Sequence, residues 1–135
     1  MMKMIECYEV SSSLGTFVDE NSFKKAYIKN MLSYASFKEG IEIENTVEPG
    51  MPDVLLIDEY DRSIFIETKY AVKGVIEFKK TQIPWYKRHP RLNITIVAYN
   101  DLTTNIHILS IASIYKRLNG RKVRLDNEKK YQIRR

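Results

Sequence analysis

The 135-residue chain is 44% hydrophobic and 29% charged, the balance of one globular domain long enough to bury a core. One cysteine and two histidines exclude an intrachain disulfide and argue against a zinc site of the usual kind. No apolar run approaches membrane-span length, MMKMIECYEV lacks the apolar stretch of a signal peptide, and both Gly-x-Ser-x-Gly and a Gly-rich phosphate loop are missing, so a cytoplasmic protein is expected.

The net charge of +5 hides an asymmetry. Residues 1–72 hold seven Lys/Arg against thirteen Asp/Glu, a net of −6, whereas residues 73–135 hold fifteen against four, a net of +11. Carboxylates beside a basic surface suit a metal site next to a polyanion, although a basic half can equally be a solvated face.

In chain order, Ser11-Ser12-Ser13 reads as a turn, and a helix is expected from about Phe17 to Phe37, with Phe23, Tyr27, Met31 and Tyr34 at helical spacing. Thr16 with Asp19 resembles a capping box, and Gly40 marks the end of the segment. Residues 41–47 alternate like a half-exposed strand, broken by Pro49-Gly50. Val54–Ile57 and Ile64–Ile66 read as buried strands of a hairpin turning at Glu59–Arg62. Residues 75–88 read as a helix bent by Pro84, ending at His89-Pro90, and forming a crossover between parallel strands. Strands follow at Asn93–Tyr99 and Ile106–Leu109, then a short helix capped by Ser110. His107, alternating with Ile106 and Ile108, is expected on an exposed face, and Cys7 as a structural residue. Residues 119–135 form a basic C-terminal segment, read as a tail or a last strand plus tail. The whole is an α/β domain over residues 1–135 with a mixed central sheet flanked by helices.

One end of the hairpin is anomalous. A hairpin folded about Tyr60-Asp61 sets Asp53 opposite Thr68 and beside Glu67, while Glu67 and Lys69, two apart, share a strand face. Two carboxylates and an ammonium thus converge at the ends of apolar strands. The carboxylates repel unless a cation lies between them, and Mg²⁺ takes one or two carboxylates plus phosphate oxygens. Such an ion activates water against a phosphodiester, with Lys69 able to orient that water or neutralise developing charge. The bland alternative is a Glu67–Lys69 surface pair with Asp53 as a turn residue after Pro52.

Pro52-Asp53 followed by Glu67-Thr68-Lys69, 14 residues on, resembles the signature of the PD-(D/E)xK nuclease superfamily. Gly50-Met51 before it is similar to the G-x-P-D form of the VRR-NUC and Holliday-junction-resolvase-like branches. The resemblance implies a restriction-endonuclease-like αβββαβ core and a metal-dependent endonuclease acting on branched or structured DNA, with Mg²⁺ replaceable by Mn²⁺. It implies Asp53, Glu67 and the Thr68 carbonyl as metal ligands, Lys69 as catalytic lysine, and Gln82 as a helix residue that positions water or phosphate. It also implies an acid on the first helix. Glu20 fits, three and seven positions before Phe23 and Tyr27, with Asp19 as competitor and Glu48 as a further option. A resolvase-type enzyme of this size calls for a homodimer. Lys73, Lys79, Lys80, Lys87 and Arg88 are candidate phosphate contacts, with Trp85 and Tyr86 beside them as either stacking or core residues. Two other readings stay open: a non-catalytic DNA-binding module on the same fold, and an RNA-directed nuclease.

Overall fold

The computed structural model describes residues 7–10, 15–33, 36–43 and 49–125. Among the described residues the order is β1 (Cys7–Val10), α1 (Glu20–Leu32), β2 (Phe37–Glu42), β3 (Val54–Asp58), β4 (Ser63–Ala71), β5 (Val75–Glu77), α2 (Gln82–Arg88), β6 (Ile94–Asn100), β7 (Ile106–Ser110), α3 (Ile111–Arg117) and β8 (Lys122–Arg124). Six strands form a sheet in the order β1-β7-β6-β4-β3-β2, and β5 and β8 pair separately. Among the described residues of the larger sheet the central β4–β6 pair is parallel and the other pairs are antiparallel, so the sheet is mixed. No described helix is long and apolar enough to cross a membrane.

The strands follow from composition. β6, rich in β-branched and aromatic residues, is buried along almost its whole length, as an interior strand covered on both faces must be. β3 alternates fully and partly buried residues, and the edge strand β2 is mostly exposed. The odd-numbered Phe65 and Ala71 of β4 face one core with Phe78, Trp85, Tyr86, Leu109 and Ile114. The even-numbered Ile64, Ile66 and Tyr70 face a second core, built on Phe23 and Tyr27 of α1 with Val97 and Tyr99. The sheet therefore separates α1 from α2, α3 and the β5–β8 pair.

Several local expectations are corrected. Helix α1 is shorter at both ends than 17–37: Asp19, not Thr16, is the N-cap, its carboxylate accepting the Ser22 N–H at 2.8 Å. Phe37 already belongs to β2, and Gly40 lies inside that strand, where an added Cβ would sit 2.8 Å from Ile28 Cγ2. Gly40 thus lets the helix approach the sheet rather than ending the helix. Tyr34, and residues 44–47 of the expected strand, lie outside the described residues.

The hairpin register is one residue off the expected one, pairing Val54 with Ile66 and Ile57 with Ser63. The cause is a three-residue loop: Asp61 adopts the left-handed conformation (φ 63°), and Asp58 Oδ1 accepts the N–H groups of Tyr60 and Arg62. Residues 75–88 are not one helix. Lys73 and Gly74 turn with φ of 53° and 76°, Val75–Glu77 form β5, and only Gln82–Arg88 are helical. Pro84 sits in the first turn of α2, where its missing N–H is not needed.

Residues 122–124 of the basic C-terminal segment pair with β5, and residues 126–135 lie outside the described residues. β1 occupies part of a segment that carried no clear sequence signal. His107 is 3% exposed, its Nε2 3.3 Å from Asn100 Nδ2, because β7 is an interior strand rather than an open face.

Candidate metal and phosphate site

A cleft of about 470 Å³ opens between the start of α1, the loop before β3, β4 and the start of α2, and Glu20, Lys24, Asp53, Glu67, Lys69 and Gln82 line it. Each arrives by a separate local device. Asp53 immediately precedes β3, held by a loop in which Gly50 (φ 98°) packs on α2. A Cβ at Gly50 would stand 2.3 Å from the Thr81 carbonyl oxygen and 2.8 Å from Trp85 Cβ, so only glycine permits this approach. Glu67 and Lys69 project from one face of β4, as the two-residue period requires. Glu20 opens α1, and the chain just before it is pinned to the sheet: Tyr70 Oη donates to the Phe17 carbonyl at 2.9 Å, and the Phe17 N–H donates to Tyr99 Oη at 3.3 Å. Gln82 begins α2.

The Asp53 carboxylate is fixed at both oxygens. The Thr68 N–H donates to Oδ1 at 3.0 Å, and Thr68 Oγ1 donates to Oδ2 at 2.9 Å. Each oxygen keeps a further lone pair. In an extended strand a residue's N–H and C=O point to the same edge, so the Thr68 carbonyl also faces the β3 side. Lys69 is held on the other wall: Nζ donates to the Glu77 carbonyl at 3.1 Å and to Gln82 Oε1 at 2.8 Å. It lies 3.7 Å from Glu67 Oε2 and 4.9 Å from the centre of the Phe78 ring. Gln82 Oε1 also accepts the Lys79 N–H at 2.8 Å, which ties α2 to the end of the β5 segment.

Glu20, Asp53 and Glu67 each offer a carboxylate oxygen within 4.8 Å of the others, a group that could hold a metal ion. The electrostatics show how costly this is without a cation. Burial, then the charge of Asp53, pushes Glu67 up to about 8, against the opposing pull of Lys69 and a Gln82 hydrogen bond. Burial also raises Asp53, despite the Thr68 bonds and Lys24, and it raises Glu20. Glu67 is 3% exposed, and its Oε1 has no hydrogen-bond partner among the described residues. A buried acceptor left unpaired beside two other carboxylates fits an all-oxygen site for a hard divalent cation.

Of the sequence candidates, the structure gathers Glu20, Asp53, Glu67, Lys69, Gln82 and Lys79 around this cleft. Asp19 is set aside as the competing acid, because its carboxylate caps α1 and is held below its usual range by Ser22. Glu48 lies outside the described residues. Lys73, Lys80, Lys87 and Arg88 are exposed but do not line the cleft; Lys73 occupies the β4–β5 turn, and Lys87 stands 5.7 Å over the Tyr115 ring. Trp85 and Tyr86 are core residues, 3% and 1% exposed, not a stacking surface. Sequence reasoning missed Lys24, although its place one helical turn after Glu20 was the available signal. Comparison with protein-family models, curated proteins and solved structures finds no match for this chain.

Proposed function

We propose that this protein is a metal-dependent endonuclease that hydrolyses phosphodiester bonds in DNA, with the site of a PD-(D/E)xK enzyme. One observation carries the reading: three carboxylates from separate elements meet within 4.8 Å, and the most buried of them presents an unpaired oxygen next to a fixed ammonium. Further support comes from the element order α1-β2-β3-β4-α2-β6, which has the αβββαβ sequence of that superfamily with β5 inserted.

Asp53, Glu67, Glu20 and the Thr68 carbonyl would hold Mg²⁺, or Mn²⁺ in its place. Bound there, the ion supplies Lewis-acid polarisation of a phosphate oxygen and lowers the pKa of a neighbouring water. The chain's own residues do the positioning. Thr68 fixes Asp53 through two hydrogen bonds, so its free lone pairs have one direction. Gln82 and the Glu77 carbonyl aim the Lys69 ammonium, which stabilises negative charge as water oxygen bonds to phosphorus and the ester P–O bond breaks. Lys79 contributes charge at the cleft, and Lys73, Lys80, Lys87 and Arg88 are proposed contacts to more distant phosphates. Branched DNA cut on two strands calls for a homodimer, acting in the cytoplasm.

The test is cleavage of labelled linear duplex, single strand, flap, four-way junction and RNA in Mg²⁺, Mn²⁺ or EDTA, with Glu67→Ala run alongside. Metal-dependent cutting lost in the variant is expected, with the junction cut best. Cutting by the variant at the wild-type rate would sink the assignment. Salt-sensitive DNA binding with no cutting would leave a binding module, and preferential cutting of RNA would reassign the substrate.

A further inference from the structure

The proposed reaction accounts for Lys69 but leaves a second lysine in the cleft without a role. Lys24 lies one turn beyond Glu20 on α1, so both side chains leave the same helix face. Its side chain is only 18% exposed, and Nζ is 3.8 Å from Asp53 Oδ2 and 3.5 Å from Glu42 Oε1. These are ion-pair separations longer than a well-made hydrogen bond. Lys69 differs: its ammonium is committed to Glu77, Gln82 and Glu67 on the opposite wall. Glu42 also takes Lys25 at 3.3 Å, so it anchors the foot of this basic pair from β2.

We infer that Lys24 binds a phosphodiester oxygen of the substrate and is kept beside the carboxylates by Asp53 until a metal ion takes Asp53 over. The inference rests on the function proposed above. Without a cation, Asp53 and Glu42 both attract Lys24. A divalent ion on Asp53 reverses one of these attractions, because two positive centres then share one carboxylate. Glu42 keeps the side chain at the cleft wall, and the ammonium turns its donors toward an arriving polyanion. Lysine suits this task as a compact point charge on a flexible stem, requiring no fixed bidentate geometry. The same lysine thus competes with the metal and assists the substrate, and these two effects have opposite signs.

That opposition is the test. Lys24→Gln and Lys24→Arg are compared with wild type, each first shown folded by thermal melting. Magnesium binding to the protein alone is measured by calorimetry, and cleavage of the best labelled substrate by steady-state kinetics over a salt series. Lys24→Gln is expected to bind Mg²⁺ about threefold more tightly, having lost a competing charge near Asp53. Its KM is expected to rise about tenfold with kcat little changed, and the salt dependence of binding to fall by about one phosphate contact. Lys24→Arg keeps the charge and should hold KM near wild type. Weaker Mg²⁺ binding in step with weaker cleavage would make Lys24 a structural support and overturn the inference. Unchanged KM and salt dependence in Lys24→Gln, beside a wild type that cuts, would overturn it alone. A wild type that binds Mg²⁺ but neither binds nor cuts nucleic acid would overturn it together with the nuclease assignment.

Discussion

Replacing Glu67 with glutamine keeps the side chain's shape and removes its charge. In the folded protein burial and Asp53 move this carboxyl from 4.5 to about 8. The unfolded chain therefore releases the proton near 4.5 while the folded chain retains it to about 8. Between those values the folded state binds more protons than the unfolded state, so wild-type stability without metal falls as pH rises. Below 4.5 both states are protonated and the penalty vanishes; above about 8 it is complete. At about 1.36 kcal/mol per pH unit, the deficit at pH 7 is at most about 3 kcal/mol, or roughly 10 °C in Tm for a domain of this size. Glutamine does not titrate. Thermal melts in EDTA should find Glu67→Gln close to wild type near pH 4.5 and more stable by several degrees at pH 8. Adding Mg²⁺ at about ten times its Kd should restore about 1.4 kcal/mol to wild type and nothing to the variant. Parallel melting curves from pH 4.5 to 8, or a variant less stable than wild type at pH 8, would refute the view that a costly buried carboxylate awaits a cation.

Two further outcomes follow from packing. Gly50→Ala places a methyl 2.3 Å from the Thr81 carbonyl oxygen at a left-handed backbone position, so urea unfolding should show a loss of about 2 kcal/mol or more. The same variant should lose its stabilisation by Mg²⁺, because the loop carrying Asp53 must shift. Trp85→Ala should cost about 3–5 kcal/mol in the same assay, as a large core truncation does, whereas a DNA-stacking role would leave stability nearly unchanged and weaken only binding.

The readable part of the sequence was the part where chemistry conflicts with local structure. Asp53, Glu67 and Lys69 stood out because charged residues end apolar runs, and that was visible without knowing the strand order. The pairing itself was misread by one residue, since nothing local showed that Asp61 would take a left-handed turn. That slip placed Asp53 opposite Thr68 rather than Glu67, yet it left Glu67 and Lys69 on one face because a two-residue spacing survives any register. β5 was hidden for a different reason. Three residues carry too little periodicity to oppose a helix, and the partner of Val75–Glu77 lies at Lys122–Arg124, beyond the reach of local patterning. His107 was misplaced because alternation reports a strand but not what covers it.

Lys24 escaped for a reason that bears on the site as a whole. Within α1 it looks like any solvated helix lysine, and the packing of α1 on the sheet brings it within 3.8 Å of Asp53 in the loop before β3. Local propensity, strand pattern and capping agree across most of this fold, as they must in a chain that folds to one state. They disagree in one place, where three carboxylates with raised proton affinity and a nearly buried lysine share a cleft. A fold gains nothing from that arrangement alone. Apolar residues of similar size at Glu67 and Lys69 would pack the same strand face without desolvating charge. The cost is offset when a cation neutralises the carboxylates and a phosphate takes up the remaining positive charge. The concentration of all these charges in one cleft, on the interior of β4, the residue before β3 and the first turns of α1, is therefore the physical reason to seek the protein's activity there.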